Sequence, residues 1–250
     1  MKIAIITGGS RGLGKNMALS LAAKGQSVIL TYNSKKSDAD EVVAEIEKLG
    51  GKAAALQLDV SDSKSFGSFA ESVGAVLQET WGRKDFDFLV NNAGIGINAP
   101  LTETTEEQFD SLMNIQFKGV FFLTQTLLPL MTDGGRIVNI STGLTRFAMP
   151  GYAAYASMKG AVEVLTRYMA KELGPRGISV NVVAPGAIET DFGGGVVRDN
   201  AQMNQFIASQ TALGRVGQPD DIGGVVASLL SEDNRWVNAQ RIEASGGMFL

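Results

Sequence analysis

The sequence predicts a single α/β domain in which a parallel β-sheet is covered by helices on both faces. Short apolar runs of strand length alternate with longer amphipathic segments along all 250 residues. Strands that alternate with helices in this way pair in parallel. No linker, low-complexity tract or shift in composition divides the chain. Residues 1-250 are therefore expected to form one doubly wound domain, with the strand-to-helix loops along one edge of the sheet.

In the first half, predicted strands and helices alternate from the N-terminus. Apolar runs predict strands at residues 2–7, 28–32, 53–58 and 86–90. Apolar residues at helical spacing predict helices at residues 15–24, 38–49 and 63–81. Thr104 and Glu107 offer a capping box, which predicts a long helix from there to about Met131.

In the second half the alternation continues, with one interruption. Strands are predicted at residues 136–140, 178–183 and 239–244, and helices up to about Leu173 and from Pro219 onward. Residues 187–213 have a looser pattern that includes three consecutive glycines. A long irregular segment just beyond the carboxyl end of a strand predicts a lid over a substrate.

The composition excludes several classes of protein. The chain has no cysteine and no histidine, which rules out thiolate chemistry, serine–histidine hydrolysis and the commonest metal ligands. A net charge of −4 argues against nucleic acid as a partner. No apolar run reaches the length of a membrane span, and no signal peptide precedes the first strand. We therefore expect a cytoplasmic protein without a metal or membrane site, in which proton transfer uses Asp, Glu, Lys or Tyr.

A glycine-rich turn follows the first predicted strand. Gly8, Gly12 and Gly14 stand between that strand and a helix, in the order typical of dinucleotide-binding units. Glycines let the backbone approach a pyrophosphate, which rests on the N-terminus of the helix. A tight strand-to-helix turn without a ligand is the alternative, but the position directly after an N-terminal strand favours a dinucleotide site.

The end of the second predicted strand bears on the choice of cofactor. An acidic residue usually stands here to hold the ribose 2′-hydroxyl, but the chain has no carboxylate between Tyr32 and Asp38. Lys35 lies in this stretch, and Arg11 of the glycine turn can reach it. This basic group favours NADP(H). In the alternative, NAD(H) is possible because Asn33 or Ser34 binds either ribose.

Three groups in a later stretch can act together: the hydroxyl of Ser141, the phenol of Tyr155 and the ammonium of Lys159. Tyr155 and Lys159 are four positions apart and so share one face of a helix. Holding a tyrosine phenolate at pH 7 costs about 4 kcal/mol. A cation about 4 Å away, at an effective dielectric near 20, supplies about the same. The pair can therefore transfer a proton, although an isolated Tyr-x-x-x-Lys is more often ordinary helix packing.

Taken together, the motifs resemble those of the short-chain dehydrogenase/reductase family. The resemblance runs along the whole chain and is carried by Thr7-Gly8-x-x-x-Gly12-x-Gly14, Asn91-Asn92-Ala93-Gly94, Asn114, Ser141, Tyr155-x-x-x-Lys159 and Pro185-Gly186. It implies a seven-stranded Rossmann fold, an NAD(P)-dependent oxidoreductase and assembly as a homotetramer. These are expectations from the family.

The resemblance also implies roles for individual residues. Tyr155 would protonate a carbonyl oxygen as hydride arrives, Lys159 would lower its pKa, Ser141 would position the carbonyl and Asn114 would hold a water. The residues that would bind the cofactor, besides Tyr155 and Lys159, are Gly8, Ser10, Arg11, Gly12, Leu13, Gly14, Asn33, Ser34, Lys35, Asp59, Val60, Asn91, Ala93, Gly94, Pro185, Gly186, Ile188 and Thr190.

The substrate is predicted more coarsely than the reaction. A ketone reductase is favoured over a 3-oxoacyl-acyl-carrier-protein reductase, for which Arg146 and Arg167 could dock an acidic carrier. An alcohol or sugar dehydrogenase is a further alternative. A catalytically idle cofactor-binding protein would be expected to lack the trio that is present. The residues expected to line an apolar pocket are Leu144, Phe147, Met149, Tyr152, Ala187, Phe192 and Phe206.

Overall fold

The computed structural model describes residues 1–250, which build one parallel sheet with helices on both faces. The sheet has seven strands in the order β3-β2-β1-β4-β5-β6-β7. The strands are β1 (Ile3–Ile6), β2 (Ser27–Tyr32), β3 (Ala53–Gln57), β4 (Phe86–Asn91), β5 (Met131–Ile140), β6 (Ser179–Pro185) and β7 (Arg241–Ala244). The predicted doubly wound α/β fold and its strand number are confirmed.

Nine α-helices connect and cover the strands. They are α1 (Gly12–Ala23), α2 (Lys36–Lys48), α3 (Phe66–Trp81), α4 (Glu106–Met113), α5 (Gly119–Leu127), α6 (Ala153–Leu173), α7 (Val196–Asp199), α8 (Ala201–Ser209) and α9 (Pro219–Leu229). None of them is long and apolar enough to cross a lipid bilayer.

The first strand shows why two helical layers are needed. All four residues of β1 are fully buried, yet alternate side chains point to opposite faces of a strand. Ile3 and Ile5 pack with α3 and α5 residues such as Leu77 and Leu123, whereas Ala4 and Ile6 belong to a second cluster with α1 and α9. Each face therefore has its own core, and polar ligands are left to the carboxyl edge of the sheet.

The helix predicted from residue 104 to about 131 is the element that differs most. It starts one residue later than predicted, because Thr105 and Gln108 form the capping box in place of Thr104 and Glu107. A π-helical segment, Asn114–Lys118, separates α4 from α5. The helix then closes in a 3₁₀ turn at Leu128–Leu130, and Met131 already belongs to β5. Such π segments often mark functional positions.

Candidate active site

The glycine turn lies at the centre of the carboxyl edge, beside the point where the strand order reverses between β1 and β4. Gly8 has φ +65°, and a Cβ atom at Gly14 would overlap the Gly8 carbonyl oxygen. At the start of α1, Arg11 makes no side-chain cap and the first turn has no acidic residue. The free N–H groups of this turn form an anion cradle that fits a dinucleotide pyrophosphate.

Side chains tie the glycine turn to the loop after β4. The Thr7 hydroxyl accepts hydrogen bonds from the backbone N–H groups of Asn92 and Ala93, both at 2.9 Å. The Asn92 amide donates to the Thr7 carbonyl at 2.8 Å. The Cα atom of Ala93 lies so close to Gly8 that a Cβ there would be 3.0 Å from it. The two loops therefore form one wall of the candidate cofactor site.

Asn91 does not contribute its side chain to this wall. Its amide donates to the Thr124 hydroxyl at 3.0 Å and to the Asn139 side chain at 2.8 Å, inside the protein. The prediction that Asn91 binds the cofactor is wrong for its side chain, because strand alternation turns it into the core. The side chains of Leu13 and Ile188 are partly buried and also pack against the core.

The adenosine side of the cleft is basic and open. Asn33, Ser34 and Lys35 are all exposed after β2. Lys36 is neutralised by Asp40 at 2.7 Å, whereas Lys35 forms no ion pair. Across the cleft, Asp59 accepts hydrogen bonds from the backbone and hydroxyl of Ser61.

Two further predicted cofactor residues connect the cleft to neighbouring elements. The side chain of Arg11 is 66 % exposed, and its nearest carboxylate is that of Asp191, at 3.6 Å. Val60 packs its carbonyl against Gly119 at the start of α5.

The residues that follow β6 form the other wall of the candidate cofactor site. After Pro185, Gly186 passes so close to Ser245 that a Cβ would lie 2.9 Å from its Cα atom. Thr190 is nearly buried, and its side chain packs on Gly12 of the glycine turn. Its hydroxyl accepts a hydrogen bond from the Phe192 N–H at 3.2 Å. The predicted nicotinamide-side residues thus lie beside the predicted pyrophosphate turn.

Tyr155 and Lys159 share one face of α6, as predicted, and both are buried, with 6 % and 5 % exposed. The Lys159 Nζ atom donates to the Ile140 carbonyl at 2.8 Å and lies 5.9 Å from the centroid of the Tyr155 ring. Burial lowers the pKa of Lys159 to about 7. Burial also raises the pKa of Tyr155 above its usual value, and a hydrogen bond with Thr142 only partly opposes this.

Burial is the dominant cause of this direction, and the expected lowering by Lys159 is not among the causes that act on the Tyr155 phenol, so that expectation stays a prediction. A phenol with a raised pKa keeps its proton at neutral pH, so Tyr155 is held as a proton donor. That state suits the acid step of a reduction.

The hydroxyl beside Tyr155 belongs to Thr142 and not to Ser141. Ser141 is buried and donates to the Glu163 carboxylate on α6 at 2.7 Å. Thr142 has extended backbone angles, accepts a hydrogen bond from the Leu144 N–H at 3.3 Å, and is the side chain that lowers the pKa of the Tyr155 phenol. Successive extended residues point in opposite directions, so only one of two adjacent hydroxyls can face the cleft. The adjacent Ser-Thr pair in the sequence left either choice open.

In the π segment, the buried side-chain amide is that of Gln116 and not that of Asn114. Asn114 makes no side-chain hydrogen bond, and its carbonyl accepts from the Gly119 N–H. Gln116 is fully buried, donates to the Ile95 carbonyl, and leaves its Oε1 atom without a partner beside Gly94. The expected role of Asn114 has no contact to support it. A glutamine in an apolar helical run was the only sequence signal for Gln116.

Aromatic and aliphatic side chains cover Tyr155. The ring of Phe192 lies 5.8 Å from that of Tyr155, and the ring of Tyr152 lies 6.4 Å from it. Leu144, Ile95 and Ile97 pack in the same cluster. Three of the predicted pocket residues, Leu144, Tyr152 and Phe192, are therefore at the candidate site.

The other predicted pocket residues lie elsewhere. Phe147, Met149 and Ala187 pack in a separate cluster with Ile207, Val216 and Met248. The Phe147 ring lies 4.7 Å from that of Phe249. Phe206 is 48 % exposed and belongs to neither cluster. Phe147 and Met149 pack there because the C-terminal segment, distant in sequence, folds over this part of the β5–α6 loop, and a place for these four residues in a substrate pocket stays a prediction.

The two arginines predicted to dock an acidic carrier protein make contacts within the chain. Arg146 forms a two-pronged ion pair with Glu243, at 2.8 Å and 2.7 Å, and donates to the Met248 and Phe249 carbonyls. It anchors the C-terminal segment and is not free for an acidic partner. Arg167 is exposed on α6 and contacts only the Glu163 carbonyl one turn earlier.

Comparisons with known proteins agree with this geometry. A family model described as "Enoyl-(Acyl carrier protein) reductase" matches residues 8–249. An uncharacterized oxidoreductase of Methylorubrum extorquens is 42% identical over 99% of this chain and 97% of its own length. A hydroxynaphthalene reductase-like protein, Arp2, of Metarhizium brunneum is 37% identical over 98% of this chain and 94% of its own.

Solved structures match equally closely. The promiscuous reductase LugOII, which catalyses keto-reduction at C1 during lugdunomycin biosynthesis, superposes with a TM-score of 0.94 at 39% identity, covering 100% of this chain and 98% of its own. The angucycline C-6 ketoreductase LanV with bound NADP superposes with a TM-score of 0.94 at 37% identity, covering 99% and 95%. With its motifs, its fold and its relatives in agreement, the chain belongs to the short-chain dehydrogenase/reductase family and is an oxidoreductase.

Proposed function

We propose that this protein reduces a ketone to a secondary alcohol with NADPH, and that Tyr155 is the general acid. The observation that carries the proposal is a buried phenol with the buried Lys159 one helical turn away, Thr142 acting on its pKa, and an aromatic cover. NADPH, when bound, supplies the hydride. The glycine cradle, the basic stretch after β2 and the nearly buried Thr190 are the residues that hold it.

The protein's own groups provide the proton and the orientation. The Thr142 hydroxyl and Tyr155 together hold the carbonyl oxygen, which polarises the bond toward hydride arrival at the carbon. Tyr155 passes its proton to that oxygen as the charge develops. Lys159, buried nearby, stabilises the resulting phenolate until it is reprotonated. Donation by one positioned acid contributes about 10²- to 10⁴-fold.

The choice of NADPH over NADH is supported by charge. No carboxylate stands at the end of β2, while Lys35 and the largely exposed Arg11 present cations there. LanV, a structural neighbour, is described with bound NADP. We expect a higher kcat/KM with NADPH than with NADH. A clear preference for NADH would overturn this part of the proposal.

For the substrate, we propose a fused-ring aromatic ketone. Two aromatic rings flank Tyr155, and the rest of the cluster is aliphatic, which suits a flat apolar molecule. Relatives named as hydroxynaphthalene and angucycline reductases point the same way. A sugar would leave its hydroxyl groups without partners against these side chains.

The second candidate is reduction of a 3-oxoacyl group on acyl carrier protein. The description of the matching family model favours it. Against it, Arg146 is engaged with Glu243, so Arg167 alone remains of the two predicted docking cations. Dehydrogenation of alcohols uses the same groups in reverse, so the reaction is reversible and the direction is set by the cofactor and substrate concentrations.

Residues 187–213 are proposed to act as a lid within a single catalytic domain. The segment contains α7 and α8, and its Phe192 lies over Tyr155. The ion pair of Arg11 with Asp191 connects the lid to the glycine turn. Hydrogen exchange in residues 187–213 should slow when NADPH and a ketone bind together, and unchanged exchange would contradict a lid.

Assembly as a homotetramer is also proposed. Phe121 and Phe122 on α5 and Val164 and Tyr168 on α6 are exposed on neighbouring helices that carry no further layer. Burying such side chains against another copy is favourable at about 25 cal/mol per Å². Light scattering on the purified protein should give the mass of a tetramer, and a monomer mass would refute the assignment.

The deciding experiment follows NADPH oxidation with three groups of substrates: fused-ring aromatic ketones, 3-oxoacyl thioesters and small aliphatic ketones. The highest kcat/KM is expected for the fused-ring group. A higher value for the thioesters would move the assignment to the acyl-carrier reaction. No oxidation with any carbonyl compound would overturn the function.

A further inference from the structure

A network of charged side chains lies behind the candidate site, on the far side of the β5–α6 loop from the cofactor cleft. Its centre is the Oε1 atom of Glu163 on α6, which is within hydrogen-bond distance of three donors. These are Ser141 Oγ at 2.7 Å, Thr145 Oγ1 at 2.7 Å and Arg241 Nε at 2.8 Å. The Glu163 side chain is only 15 % exposed. A single carboxylate oxygen thus binds side chains on both sides of Thr142 in the loop.

Arg241, on the edge strand β7, holds the same loop from the other side. Its Nη2 atom donates to the Thr142 carbonyl at 3.2 Å and to the Thr145 hydroxyl at 3.1 Å. Its Nη1 atom donates to Glu243 at 2.8 Å, so all three nitrogen atoms of the guanidinium act as donors. Only the planar guanidinium can make these contacts together, since a lysine offers a single point of charge.

We infer that Glu163 and Arg241 are positioning residues that decide which of the two adjacent hydroxyls serves the reaction. Glu163 retains the Ser141 hydroxyl outside the cleft, and Arg241 fixes the Thr142 carbonyl, so the Thr142 side chain is presented to Tyr155. This inference rests on the proposed function, because it assigns a purpose to the Thr142–Tyr155 contact.

The strength of the contacts supports a positioning role. Hydrogen bonds to ionised groups are about twice as strong as neutral ones, and both Ser141 and Thr142 are held by one. Ser141 and Thr142 are consecutive, so a rotation that released Ser141 toward the cleft would turn Thr142 away from Tyr155. A shift of about 1 Å in a reacting group can cost on the order of 100-fold in rate.

The test compares Glu163→Gln and Arg241→Lys with the parent in the ketone reduction. Glu163→Gln keeps the size of the side chain but loses its negative charge. Arg241→Lys keeps the positive charge but loses the planar arrangement of several N–H donors. Each should lower kcat by about tenfold or more while the Kd for NADPH stays within about twofold. With NADPH deuterated at the transferred hydrogen, the isotope effect on kcat should increase, because the chemical step becomes more rate-limiting.

A matched control is the ion pair of Asp133 with Arg176, which has similar geometry at 2.7 Å but lies at the opposite end of β5. Asp133→Asn should leave kcat, the isotope effect and the Kd for NADPH unchanged. The double variant Glu163→Gln/Ser141→Ala should recover part of the lost kcat, because the freed hydroxyl is then absent. Simple loss of stability would not be rescued in this way.

The outcomes separate the inference from the proposed function. If Glu163→Gln and Arg241→Lys both fold and retain the kcat and isotope effect of the parent, the positioning role is wrong. If they lose activity only in proportion to a loss of folded protein, as judged by NADPH titration, it is also wrong. If Tyr155→Phe keeps its turnover, the proposed function itself fails, whatever the Glu163 variant does.

Discussion

The two halves of the carboxyl edge of the sheet were predictable to very different degrees. In the half built from β1 to β4, the glycine turn and its neighbours lie where their spacing placed them. In the half built from β5 to the C-terminus, the Ser141 hydroxyl is bound to Glu163, the buried amide is that of Gln116, and several predicted pocket residues pack in a separate cluster.

The difference arises from what positions each group. The glycine turn is defined by backbone geometry within a few residues, where only a residue without a Cβ fits. Ser141 is instead bound by Glu163, which lies 22 residues away from it, and the Thr142 carbonyl by Arg241, which lies 99 residues away. The backbone constraint on the glycine turn can be recognised in a local sequence motif. The hydrogen bonds that hold Ser141 and Thr142 exist only in the tertiary structure.

The largest effect is expected at Tyr155, the proposed general acid. Tyr155→Phe removes the donated proton but keeps the ring that packs on Phe192. The kcat for ketone reduction should fall by about 10²- to 10⁴-fold, with NADPH affinity within about twofold of the parent. Steady-state kinetics and fluorescence titration check this. Retention of most turnover would remove the catalytic assignment.

The next effect belongs to the first half. In Gly14→Ala the new Cβ would overlap the Gly8 carbonyl, so the turn must distort where the cofactor phosphates rest. We expect the Kd for NADPH to rise by about 100-fold, since a misplacement of about 1 Å in such a cradle has consequences of that size. Gly74→Ala on α3, where an added Cβ meets nothing within 4 Å, is the control and should not change the Kd. Equal affinities would contradict the cradle.

An effect of similar size is expected to separate the two adjacent hydroxyls of the second half. Thr142→Val keeps the shape of the side chain but removes the hydrogen bond to Tyr155, so kcat should fall by about 100-fold. Ser141→Ala removes a hydroxyl that is bound to Glu163, and should cost less than about tenfold. The opposite order of the two losses would restore the sequence-based choice of Ser141.

The last expected effect is on stability and not on turnover, and it depends on pH. Burial lowers the pKa of Lys159 from 10.5 in the unfolded chain to about 7. Between these values the unfolded state binds more protons than the folded state, so the free energy of unfolding should rise as the pH increases from 7 to 10.5. Below about pH 7 the cost of burying the charge is fully present.

Lys159→Met should abolish this rise and stabilise the protein at pH 7, since no charge is then buried. Urea unfolding of the ligand-free protein at several pH values measures both. Lys171→Met, at an exposed position on the same helix, should keep the rise. A rise that persists in Lys159→Met would mean that Lys159 is solvated.

The sequence by itself determined the class of fold, the family, the glycine turn, and the placing of Tyr155 and Lys159 on one helical face. These follow from periodicity and from spacing within one or two turns of chain. Only the tertiary structure decided that burial, and not the nearby cation, dominates the pKa of Tyr155. It also decided that Gln116 supplies the buried amide of its helix, that Glu163 binds the Ser141 hydroxyl, and that Phe147 packs under the C-terminal segment. The desolvation of a side chain and its hydrogen-bond partners depend on residues that pack against it from distant parts of the chain. A local sequence pattern carries no information about those residues.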